Sequence, residues 1–190
     1  RSPGESQKNL HKQLSRWRDD HQVIQLRRGL YTLSPPYQKT EPALFLVANR
    51  MKAASYVSLQ SALSYYGMIP EYVPQITSVT TGRPEKVENS LGRFSYRHIS
   101  PALFFGYHHI EIIPGQKAFV AKPEKALLDL IYLTTKGGQK EYLEQLRLQN
   151  LEIIDPRQLE GFAHRSKKTK LKRAAGIIKD IMHSEEYETL

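Results

Sequence analysis

The first residues in this sequence with a shared chemistry are amides and cations. Ser6 opens a stretch in which Gln7, Lys8, Asn9, Lys12, Gln13 and Arg16 turn away from an apolar stripe of Leu10, Leu14 and Trp17, spaced i, i+4 and i+7 as on one helix face. Asparagine and glutamine amides make bidentate bonds to adenine, and lysine or arginine reaches guanine or phosphate. Arg27 and Arg28 then stand directly before Gly29, which suits a tight turn because glycine tolerates positive φ. A third set, Lys167, Lys168, Lys170, Lys172 and Arg173, sits in the first turns of a helix expected over residues 166–182. Positive charge there opposes the helix dipole, at about 0.3–1 kcal/mol per well-placed residue, a cost that a bound anion offsets. These fourteen residues are the candidate DNA-binding set. The same side chains also fit a charged outer face, a solvated hairpin and a frayed helix end.

Other chemistry finds less support. A nuclease site of the restriction type needs acidic residues and Glu-x-Lys on a strand to hold a divalent ion. Glu111 lies in an expected strand but is followed by Ile112 and Ile113, and Glu124-Lys125 lacks the spacer and stands at a helix start. His108-His109 has no further ligand at a zinc spacing. There is no P-loop, GxGxxG, HExxH or GxSxG. The expectation is a protein that is not an enzyme and needs neither cofactor nor metal. Arg83, Lys86, Arg93 and Arg97 make a further basic set, partly balanced by Glu85 and Glu88, and read as surface charge.

The elements that must position these groups follow from pattern. After Asp19-Asp20 the helical period gives way to short extended runs around Val23, Ile24, Leu26, Leu30, Tyr31 and Leu33. A helix with a polar, basic face followed by a small arginine-tipped hairpin is the second half of a winged helix-turn-helix. The proline-rich residues 33–42 read as a linker, dividing a DNA-binding module over 1–34 from a larger mixed α/β domain over 35–190. In that domain "ALFLVANRM" reads as helix, and "YVSLQSALSYYGMIP" as a helix capped by Ser58 and stopped by Gly67. Its tyrosines belong to a packed face. "QITSVTTGRPEKVENSLGRFSYRHI" reads as strands with turns at residues 82–84 and 89–92, and "HIEIIP" and "KAFVAKP" as two more joined at Pro114-Gly115. "PEKALLDLIYL" starts a helix on a proline, with Glu124 as an N-terminal helix charge and Asp129 capping or pairing locally. Shorter helices are expected near residues 140–148 and 156–163. The fold class is therefore α+β.

The chain has 190 residues, 39% of them hydrophobic, a net charge of +9 and no cysteine. Disulfides and thiolate metal sites are excluded, which fits a reducing cytoplasm. No apolar run is long enough for a membrane helix, and "RSPGESQKNL" is not a signal peptide. Lacking an initiator methionine, the chain is expected to begin inside a longer protein. Residues 1–34 carry seven Lys/Arg against three acids, 35–163 fourteen against twelve, 164–183 seven against one and 184–190 none against three. The positive charge is concentrated in two patches, as expected for a polyanion partner.

"LSRWRDDHQVIQLRRGLYTLS", "YVSLQSALSYYGMIPE", "VTTGRPEKVENSLGRFSYRHI" and "KPEKALLDLIYL" occur in this order. Over residues 10–133 the sequence thereby resembles the AbiEi-type antitoxins of bacterial abortive-infection (type IV) toxin–antitoxin systems. The resemblance implies a winged helix-turn-helix joined to a larger mixed α/β antitoxin domain. It implies repression of the protein's own operon through double-stranded promoter DNA, and phage defence by counteracting a nucleotidyltransferase-like toxin without a stable complex. DNA contact carries over to residues 6–16 and 27–29. A full winged helix has helices before the recognition helix, whereas this chain starts at "RSPGESQ" and the module is incomplete. Two other readings remain: an antagonist acting by protein or RNA contact without binding DNA, and a metal-dependent nuclease.

Overall fold

The computed structural model describes the backbone of residues 7–188 and the side chains of residues 9–183. Helix α1 spans Gln7–Asp19. It stops in a Schellman arrangement, with His21 left-handed at φ 55°, the His21 amide donating to the Arg18 carbonyl and the Gln22 amide to the Trp17 carbonyl. That closure satisfies the last carbonyls and turns the chain into the hairpin β1 (Val23–Arg27) and β2 (Leu30–Leu33). Arg27 pairs with Leu30, which leaves Arg28-Gly29 as the turn, and Gly29 takes the expected positive φ of 79°.

A mixed α+β body follows. In chain order it comprises α2 (Leu44–Met51), β3 (Ser55–Val57), α3 (Leu59–Tyr65), β4 (Ile76–Thr80), β5 (Glu85–Asn89), β6 (Gly92–His98), β7 (Tyr107–Ile113), β8 (Gln116–Ala121), α4 (Pro123–Leu133), α5 (Lys140–Gln145), α6 (Pro156–Arg165) and α7 (Thr169–Glu188). Six strands form one sheet in the order β5-β6-β4-β3-β8-β7. The outer pairs β5–β6 and β7–β8 are antiparallel hairpins, whereas β4 runs parallel to β6 and β3 parallel to β8. Central β3 is buried on both faces, and edge β5 alternates in exposure, as strands with two covered faces or one must.

The alternation of side chains assigns the layers. Tyr56 lies opposite Val79 and points to the face where its hydroxyl donates to Asp129 of α4. Tyr96 has the other parity, and its hydroxyl donates to the Ala48 carbonyl of α2. Helix α2 thus covers one face, α3 and α4 the other, and α6 and α7 back α4. The core is continuous through both layers and includes Leu26 of the first hairpin.

Several elements depart from the sequence reading. "SYV", just before the expected Ser58 cap, is a strand that the sequence reading did not separate from the helix, because three residues carry no period signal. Ser58 is not a side-chain cap of α3: its hydroxyl is fully buried and donates to Asp129 at 2.8 Å. The turn into α3 is made by Leu59 at φ 53°, a left-handed backbone that costs an L-residue about 1–2 kcal/mol. Glu124 stands in the first turn of α4 as expected, but it is also buried, 3% exposed, and accepts from the Asp155 amide at 2.9 Å. Helix α7 begins at Thr169, so Lys167 and Lys168 lie in the preceding turn, with Lys167 left-handed at φ 55°.

The hairpin is bonded to the body across the proline-rich segment, which itself holds a short 3-10 turn at Pro35–Tyr37. The Arg27 guanidinium donates to the Met51 carbonyl at 3.0 Å and to both Glu85 carboxylate oxygens at 2.9 and 3.2 Å. Lys52 reaches the same carboxylate at 2.9 Å, and the Asn89 amide donates to the Leu26 carbonyl at 3.3 Å. The hydrogen bond from Arg27, then that from Lys52, holds the Glu85 carboxyl below the usual glutamate value. A depressed folded-state pKa stabilises above the unfolded value, about 4.3, and is lost as pH falls through the lower folded value. Glu85→Gln therefore lowers unfolding free energy at pH 7 by about 1 kcal/mol, after discounting for solvent screening. Its urea midpoint converges with that of the wild type as the pH is taken below about 4. A constant gap across that range rules out the ionised clamp.

Candidate nucleic-acid interface

Helix α1 brings part of the expected set together. Asn9, Lys12, Gln13 and Arg16, at i, i+3, i+4 and i+7, share one face. Gln13 is half-buried and the other three are exposed. None of the four has a side-chain partner among the described residues. Ser6 and the side chains of Gln7 and Lys8 lie outside the described residues. The apolar stripe is only partly covered, since Leu10 is 46% and Trp17 39% exposed.

At the hairpin the two arginines separate. Arg27, expected at a DNA backbone, is engaged inside the protein by Glu85 and the Met51 carbonyl. Arg28 stands exposed at the turn with no partner among the described residues. The split follows from position, since Arg27 is the last residue of β1 and is paired in the ladder, whereas Arg28 lies in the turn beyond it.

The basic C-terminal set divides in the same way. Lys170 turns back, and its ammonium donates to the Tyr132 and Thr134 carbonyls at the end of α4. A cation at a helix C-terminus is stabilising, and burial there pushes the Lys170 ammonium below the usual lysine value. Lys167, Lys168, Lys172 and Arg173 remain exposed. They are carried by α7 and the turn before it, which pack on α4, α5 and α6, whereas α1 packs on β1.

A buried cluster of titratable groups lies elsewhere. Lys125 and Asp129 form an ion pair one helical turn apart in α4, with side chains 3% and 2% exposed. Asp129 also accepts from Tyr56 at 2.9 Å and Ser58 at 2.8 Å. The Lys125 ammonium lies 5.6 Å from the Tyr56 ring centre and 5.2 Å from that of Phe105. Burial pushes the carboxyl up and the ammonium down. The network is buried and joins α4 to β3 and to the residue that follows it. Sequence reading had Asp129 pairing locally but missed Tyr56 and Ser58, which no spacing rule connects to it.

His108 meets the Tyr66 hydroxyl at 3.0 Å, and among the described residues no group of three or more His, Asp or Glu side chains could hold a metal ion. No described helix is long and apolar enough to cross a membrane. No protein-family model matches the chain, and no curated protein matches it.

Proposed function

We propose that this protein is a DNA-binding autorepressor and antitoxin of the AbiEi type, acting in the cytoplasm against a nucleotidyltransferase-like toxin. The observation that carries the reading is the polar face of α1, where two amides and two cations stand without side-chain partners among the described residues, beside a hairpin tipped by Arg28. This is the residue chemistry of a major-groove reading helix with a wing on the backbone. The winged-helix assignment of residues 1–34 and the antitoxin role of residues 35–190 are parts of the same proposal. Lys167, Lys168, Lys172 and Arg173 supply a second set of phosphate contacts.

A second reading is favoured by one observation. The exposed Leu10 and Trp17 on α1 suit an antagonist that works by protein contact, since aromatic anchors are enriched in protein interfaces. Salt separates the two, because phosphate binding weakens steeply with ionic strength. An electrophoretic shift on the duplex upstream of the protein's own coding region, at two salt concentrations, is the direct test. Co-expression with the neighbouring toxin, scored for growth and promoter activity in the same cells, reads both activities. Charge reversal at Lys172 and Arg173 is expected to weaken repression and leave neutralisation intact. Equal damage to both activities rules out the separate roles.

A further inference from the structure

Strands β3 and β8 are joined at a single position, Val57 opposite Val120, and beyond it β8 continues without β3. Phe119 thereby loses a ladder partner for its amide, which donates instead to the Asn49 side-chain oxygen of α2 at 2.6 Å. A cleft of about 410 Å³ occupies the gap, within the roughly 300–1,000 Å³ usual for small-ligand sites. Its walls carry an aromatic platform. His109 and Phe119 face each other across β7 and β8, their rings stacked at 4.6 Å and 27°. Tyr107 meets Phe119 edge-on at 5.8 Å and stacks in turn on buried Tyr56 at 4.5 Å, which fixes the platform to the core.

Two cations, Arg50 and Lys117, line the same cleft, both exposed and without ion-pair partners among the described residues. No acidic side chain lines it. The Asn49 side-chain nitrogen is buried there without an acceptor, although buried donors are nearly always paired.

From this arrangement we propose that the cleft between α2 and the β7–β8 hairpin binds a nucleotide, its base stacked on the His109–Phe119 platform and its phosphate held by Arg50 and Lys117. A flat π surface beside two cations and no acid matches a planar base bearing phosphate. Neither a neutral aromatic ligand nor a bare anion uses both halves. A free nucleotide and the end of a single strand share this chemistry. The site does not depend on the duplex-DNA reading of α1.

Titration calorimetry with ATP, GTP, CTP and UTP, with the corresponding nucleosides, with tripolyphosphate and with short single-stranded oligonucleotides tests it. Nucleotides are expected to bind more tightly than nucleosides or tripolyphosphate. Phe119→Ala is expected to weaken them about ten-fold, within the worth of one stacked base. Arg50→Gln with Lys117→Gln is expected to weaken nucleotides and leave nucleosides unaffected. All three side chains are exposed, so melting temperature and duplex-DNA shift should match the wild type. Tighter binding of oligonucleotides, lost in the same variants, identifies a strand end as the source and upholds the site. Tripolyphosphate binding as tightly as nucleotides, indifference to Phe119→Ala, or no binding at all overturns it.

Discussion

Replacing Asp129 with alanine is expected to cost the fold about 3–5 kcal/mol, the usual price of stranding one member of a buried ion pair. The carboxylate is the common acceptor for Lys125, Tyr56 and Ser58, all 3% exposed or less. Its removal leaves an ammonium and two hydroxyls in the core with no water to receive them. The loss far exceeds that of an exposed pair such as Lys140–Glu144 of α5, whose side chains are 66% and 55% exposed, because exposed pairs are worth about 0–1 kcal/mol. Urea unfolding gives the value directly. The double change Lys125→Met with Asp129→Leu should recover much of the loss, since apolar replacement of a buried pair is often neutral or better. A single-variant loss under about 1 kcal/mol would mean that the network is solvated.

Asn9→Ala and Gln13→Ala are each expected to lower the preference for operator over random duplex by about 1–3 kcal/mol, roughly 5- to 150-fold. Neither amide has a side-chain partner among the described residues, and Asn9 is exposed and Gln13 half-buried, so their loss removes base contacts without breaking a hydrogen bond seen in the fold. Lys12→Ala, Arg16→Ala and Arg28→Ala should weaken operator and random DNA alike. Each should shallow the dependence of log K on log salt by about 0.9, because phosphate contacts release counterions but carry no sequence information directly. Arg27→Ala should behave differently. Its guanidinium is held by Glu85 and the Met51 carbonyl, so it should lower the urea midpoint and leave the salt slope nearly unchanged. Competition shifts with operator and scrambled duplexes at several salt concentrations resolve these classes. Unchanged preference in Asn9→Ala with Gln13→Ala rules out α1 as the reading helix, and unchanged slopes in all three cation variants rule out phosphate binding by this face.

What the sequence determined by itself was local. Heptad-like spacing of Leu10, Leu14 and Trp17 placed α1, glycine chemistry placed the turn at Gly29, and proline at position 123 placed the start of α4. Turn signals at residues 82–84, 89–92 and 114–115 separated the strands correctly. The concentration of positive charge near both ends was likewise legible, because charge is additive along the chain. Tertiary structure alone decided the strand order, including the parallel β4–β6 pair, since backbone pairing is blind to side-chain pattern once both faces are buried. It also decided which of the expected cations are open. Arg27 meets Glu85 across 58 residues of sequence and Lys170 meets Thr134 across 36, while Arg28, Lys172 and Arg173 stay in solvent. Ser58 and Tyr56 converge on Asp129, and Arg50 and Phe119 on one cleft, for the same reason. Period and turn chemistry act over a few residues, whereas these partners are chosen by how the layers pack, which no spacing in the chain records.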